Sequence, residues 1–191
     1  MKNVILLSVL LLFTINSFAQ KITRGPDIGE IYFLGPTHTT GGLYYSANFG
    51  ESATCVDSNN FIKTIAADVL EGGLYCVMLP ANLYYSNNYG NTNSWVYKNY
   101  DVSDNINCGL ISGHLYSGCY KHSLDYGVNF IYHNLNGYFG EFIFSIIDNF
   151  YESTGYILTY KLDVIDTVYL FRTYNTFENV NLIHKFNYLW Y

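Results

Sequence analysis

A glycine that opens a short apolar run returns along this chain at near-constant spacing. It stands at Gly29 (G-E-I-Y-F), Gly72 (G-G-L-Y-C), Gly113 (G-H-L-Y-S) and Gly155 (G-Y-I-L-T), at intervals of 43, 41 and 42 residues. A fixed period of this length is the signature of a repeat architecture, and it outranks local guesses about secondary structure.

A second marker follows each glycine. Its copies read Y-Y-S-A-N-F-G at 44–50, Y-Y-S-N-N-Y-G at 84–90 and Y-K-H-S-L-D-Y-G at 120–127, with a worn copy, F-R-T-Y-N-T-F, at 171–177. The common core is Ser/Thr-x-Asn/Asp-x-Gly, and it predicts a tight turn. The Asn or Asp side chain accepts from turn N–H groups, glycine supplies the left-handed backbone, and the hydroxyl adds a local bond. The expected turn residues are Ser46, Asn48 and Gly50; Ser86, Asn88 and Gly90; Ser123, Asp125 and Gly127; and Thr173 and Asn175. An apolar strand follows at 95–97 and 130–132, and another precedes the glycine at 62–69, 106–111 and 142–147. Each unit is therefore expected to hold four short strands, the size of a propeller blade. The first unit shows no convincing first strand.

Composition agrees with an all-β chain. Tyr (21) and Phe (13) suit half-buried pleated surfaces, whereas Lys and Arg total only 9. With a net charge of −6 and no basic cluster, nucleic acid is not an expected partner.

The N-terminus has the pattern of an export signal. Lys2 precedes an apolar stretch at 4–15, and Ser17-Phe18-Ala19 places small residues before Gln20, which predicts cleavage after Ala19. Those 12 residues fall short of the roughly 20 that span a bilayer, so no membrane span is expected. The expected division is a signal at 1–19, a linker at 20–28 and repeats over 29–191. Export implies an oxidising compartment in which Cys55, Cys76, Cys108 and Cys119 can pair in three ways. Their spacing matches no zinc site, and neither metal nor cofactor is expected.

These units resemble the Asp-box (BNR) repeat, S-x-D-x-G-x-T-W, found in sialidases, sortilin and secreted bacterial propellers. The resemblance covers Gly29 to about Lys185, and its fullest copy is Ser123 to Phe130. Departures are Asn at 48, 88 and 175, a closing aromatic displaced to Trp95, and Phe177 in place of Gly. The resemblance implies a β-propeller or partial propeller of about four four-stranded blades. Propellers of this family usually close with six or more. The chain is thus expected to be a fragment of a larger secreted propeller, to close with four blades, or to self-associate through open edges, with a bare apolar strand near Leu189.

The resemblance also raises catalysis. A sialidase needs three arginines to clamp a carboxylate, and the chain has only Arg24 and Arg172. Glycoside hydrolysis needs two facing carboxylates. Candidates are Asp68, Glu71, Asp104, Glu141 and Asp163, but Asp68 aligns with a turn-forming position of the family, and the box lies on the outside of the blade. Among His38, His114, His122, His133 and His184, His114 and His122 flank one expected hairpin. Surface or packing roles account for all five. Tyr44, Tyr45, Tyr84, Tyr85, Tyr97 and Tyr100 either pack blade on blade or form a surface for carbohydrate or protein. The expectation is a secreted, non-enzymatic binding scaffold.

Overall fold

The computed structural model describes residues 22–35, 42–100, 102–103, 105–118, 121–133, 145–147, 155–161, 164–174 and 179–187. Among them lie sixteen strands in four antiparallel sheets, each an up-and-down meander in chain order. The first sheet holds β1 (Ile22–Arg24), β2 (Ile31–Leu34), β3 (Leu43–Ser46) and β4 (Thr54–Asp57). The second holds β5 (Ile62–Ala67), β6 (Leu74–Met78), β7 (Asn82–Ser86) and β8 (Val96–Asn99). The third holds β9 (Ile106–Cys108), β10 (Leu115–Ser117), β11 (Lys121–Ser123) and β12 (Ile131–Tyr132). The fourth holds β13 (Ser145–Ile147), β14 (Gly155–Lys161), β15 (Val164–Tyr174) and β16 (Asn179–Asn187). This is the architecture of a β-propeller or partial propeller with four blades. The first unit does have a first strand, because β1 lies within the segment expected to be a linker.

Register repeats from sheet to sheet. Tyr32 pairs with Tyr45, Tyr75 with Tyr85, Tyr116 with His122 and Tyr156 with Arg172. Between third and fourth strands a bulge recurs at Leu43/Tyr44, Leu83/Tyr84 and Leu170/Phe171. A one-residue slip would exchange the two faces of a sheet, so this agreement places equivalent positions on the same face of each sheet.

The glycine marker has a backbone reason. In the first three sheets it sits in the turn after the first strand, with φ of +86° at Gly29, +69° at Gly72 and +85° at Gly113, a region that residues bearing a Cβ enter at a cost. The turn is closed identically each time: Gly25, Asp68 and Gly109 donate N–H to the carbonyls of Glu30, Gly73 and His114. The fourth marker differs. Gly155 is the first residue of β14, paired with Ile147 and Thr173.

The core lies between successive sheets. One cluster joins Tyr32, Leu34 and Leu43 of the first sheet to Ile65, Leu74, Cys76 and Met78 of the second. The next joins Ala66, Tyr75, Val77, Leu83 and Tyr85 to Ile106 and Leu115 of the third, with Val102 from the segment between them. The second sheet is thereby covered on both faces, and every residue of β6 is buried. First strands lie beside one another, β1 against β5 and β5 against β9.

Candidate functional site

The turns between third and fourth strands are organised by their serine. Ser46 Oγ accepts the N–H groups of Asn48 and Gly50 (3.3 and 2.9 Å) and donates to Asn48 Oδ1. Ser123 does the same with Asp125 and Gly127 (3.3 and 2.9 Å). Ser86 accepts from Asn88 and Gly90 (3.0 and 3.1 Å) and bonds Ser94 Oγ. The amide or carboxylate reaches further along the chain: Asn48 accepts the Ser52 N–H, and Asp125 accepts the Asn129 N–H and side-chain amide. Burial opposes the Asp125 charge, but these bonds together prevail and hold its carboxyl below the usual range. Thr173 lies in β15, paired with Gly155 and Val180, whereas Asn175 lies outside the described residues.

The two sequence markers meet. Phe49, Tyr89 and Tyr126, just before the box glycines, have φ of +58°, +55° and +60°. Each donates its N–H to the marker glycine of its own sheet, Gly29, Gly72 or Gly113, at 2.8, 2.9 and 2.9 Å. Their rings cover those glycines, where any Cβ would meet the aromatic carbons at about 3 Å. The left-handed aromatic was not foreseen, although its recurrence in three copies was the available signal.

Of the singled-out tyrosines Tyr85 is buried, while Tyr44, Tyr45 and Tyr84 are half-buried against other rings. Tyr45 lies between Tyr32 and Tyr89, with centroids at 5.2 and 5.0 Å. Tyr85 lies between Tyr75 and Tyr126 at 4.7 and 5.2 Å. Two equivalent triads thus bridge consecutive sheets. Tyr44 stacks on Phe33, and Tyr84 meets Tyr97 edge-on. Tyr97 and Tyr100 are exposed.

The candidate carboxylates that are described serve these contacts. Asp68 is buried; it accepts from the Val69 N–H, from Tyr85 (3.2 Å) and from Ser112 of the third sheet (3.0 Å). Burial, and then the Asp68 charge, push the Tyr85 hydroxyl up. Glu71 accepts from Tyr89, and that bond, more than burial, raises the phenol to about 12. Asp104, Glu141 and Asp163 lie outside the described residues. Sequence reasoning passed over Asp57, which is buried at the end of β4. It accepts the N–H groups of Asn59 and Asn60, the Asn60 amide, the Thr92 hydroxyl and the Trp95 indole (2.7 Å). Burial works against its charge, but these bonds prevail and its carboxyl is held low. The D-S-N-N run is an Asx-turn signal that could have marked it.

His122 turns to His133 of the same sheet, Nδ1 to Nε2 with the rings stacked, rather than across the hairpin to His114. Burial and then the neighbouring His133 and His114 lower it to about 4. His184 packs edge-on against Phe186, and His38 lies outside the described residues. Among the described residues no group of three or more His, Cys, Asp or Glu is placed to hold a metal ion. Cys55, Cys76 and Cys108 are free thiols, the last two pushed well up by burial. Cys119 lies outside the described residues, as do residues 1–21 and Leu189. Among the described residues no helix is long and apolar enough to cross a membrane. Arg24 is on β1 and Arg172 on β15.

No family model and no curated protein matches the chain. Among solved structures it is similar to YCF48 from Cyanidioschyzon merolae, with a TM-score of 0.49 and 10% identity over 85% of this chain and 70% of that one. It is also similar to a structure described as YCF48 bound to D1 peptide, with a TM-score of 0.41 and 9% identity over 84% and 79% of the two chains.

Proposed function

We propose that the chain is an exported, non-enzymatic propeller scaffold that binds a protein partner along the outermost strands of its second and third sheets. The observation that carries this is a set of uncovered apolar side chains there: Val96, Tyr97 and Tyr100 at β8, with Ile131 and Tyr132 on β12. Both strands end their sheets, so each offers an outer backbone edge beside the rings. An extended segment that adds to a sheet edge uses that combination, with main-chain bonds for affinity and side-chain contacts for specificity. Tyrosine suits the role because it offers a large amphipathic area at low rotamer cost. Carbohydrate is the second reading, favoured by the exposed Tyr97 and Tyr100, whose rings can stack on sugar faces.

Support for a non-enzymatic role comes from Asp68 and Glu71, each already engaged by a tyrosine of its own sheet. Export rests on the pattern at 1–19; mass spectrometry of the secreted product should find Gln20 at its start. The binding test is selection from displayed extended peptides, run beside a glycan array, with the mature chain as bait. The Tyr97→Ala/Tyr100→Ala double variant should bind selected peptides at least about tenfold more weakly, a loss of about 1.4 kcal/mol or more. Unchanged binding by that variant, or turnover of glycoside substrates by the mature chain, would sink the proposal.

A further inference from the structure

The first sheet leaves open a face that the second and third sheets keep covered. Ile22 stands three residues before the first-hairpin residue Gly25, as Ile65 and Ile106 stand before Asp68 and Gly109. Ile65 and Ile106 are each 4% exposed, whereas Ile22 is 67% exposed. The same holds for the aromatic before the box glycine. Tyr89 packs on Tyr45 of the preceding sheet and Tyr126 on Tyr85, but Phe49 is 70% exposed. A Cβ on Gly90 would lie 2.4 Å from Leu43 of the sheet before, and one on Gly127 would lie 2.2 Å from Leu83; on Gly50 it meets nothing within 4 Å.

The chemistry of the open face differs from that of its covered counterparts. Tyr89 bonds Glu71 and Tyr126 bonds Ser112, each partner being the residue before the marker glycine. In the first sheet those two positions hold Phe49 and Ile28, both exposed hydrocarbons. A polar pair has become an apolar one on a surface where the polar pair would suit water better. Beside it a groove of about 310 Å³ is lined by Ile22, Ile31 and Phe49 among others.

A face of this form accepts a sheet that presents a leucine at the third-strand bulge, as Leu43 and Leu83 do. The fourth sheet has its bulge at Leu170. Leu170 stands three residues before Thr173, just as Leu43 and Leu83 precede Ser46 and Ser86. We propose that the first sheet docks against the fourth sheet of a second copy of this chain, head to tail, with that copy's leucine entering the space over Gly50. The contact repeats an interface that the molecule already builds twice, so its complementarity is written into the repeat. It is a heterologous contact, which produces rings or open chains rather than a two-fold pair. It is also separate from the outer-strand surface, so either can fail alone.

The test is sedimentation of the mature chain over a concentration series, beside Ile22→Glu and Leu170→Glu variants whose circular dichroism is checked. The wild type should self-associate as concentration rises, and each variant alone should remain monomeric. Mixed in equal amounts, the two variants should form a one-to-one heterodimer, because each keeps the face that the other has lost. That heterodimer also shows that both variants are folded. A wild-type chain that stays monomeric overturns the proposal. So does a Leu170→Glu variant that associates like wild type, which would mean that first sheets meet each other, and so do folded variants that fail to pair.

Discussion

Ser46, Ser86 and Ser123 each satisfy two backbone N–H groups in a turn whose aromatic and glycine are both left-handed. Small hydroxyls decide these turns, and neighbouring hydroxyls differ sharply in what they contribute. Tyr75 OH is buried without a hydrogen-bond partner, whereas Tyr85 OH donates to the buried Asp68. Tyr75→Phe should therefore be neutral or stabilising by up to about 1 kcal/mol. Tyr85→Phe should cost about 1–3 kcal/mol, because it strips a donor from a buried carboxylate. Urea unfolding of both variants, at equal m-values, checks the contrast. The His122–His133 pair gives a pH dependence. His122 is held near 4 in the fold against about 6.5 unfolded, so the unfolded chain binds more protons between those values. Stability that is fully present above about pH 6.5 should fall as pH drops towards 4. His122→Phe should flatten that part of the profile in thermal unfolding followed across pH.

Glycines show at the level of elements what a repeat both reveals and conceals. Gly50 and Gly127 share one backbone conformation, with φ of +85° and +80°, but only Gly127 lies against the previous sheet. Gly50→Ala should cost about 1 kcal/mol for the backbone alone. Gly127→Ala should cost a further 1–3 kcal/mol, roughly, for displacing Leu83. Equal losses in chemical denaturation would mean that the sheets do not pack through these glycines. The turn glycines were legible in sequence because a left-handed residue admits few alternatives. Gly155 fits the same period but is the first residue of β14, since spacing alone cannot separate a glycine in a turn from one that opens the strand. β1 was missed for a related reason: three residues of mixed polarity, I-T-R, acquire strand identity only by pairing with β2.

For the molecule as a whole, stability should be close to a sum over sheets and the interfaces between them. Asp57 is a buried polar link between first and second sheets, binding Thr92 and Trp95 across the boundary. Asp57→Ala should cost about 2–4 kcal/mol by leaving those donors short of an acceptor. Hydrogen exchange should then show lost protection in β1–β4 with little change in β9–β12; uniform loss would indicate a single cooperative block instead. The period, the four strands of the second and third units and the turn chemistry of the first three were legible in sequence, because they depend on local backbone constraints that recur from copy to copy. Tertiary structure alone decided which tyrosines are buried, which histidines meet, that Asp57 ties two sheets together, and that one copy of a repeated face is left open. Those outcomes depend on which sheet stands next to which, and residues that are equivalent in sequence differ in environment only when a neighbour is present or missing.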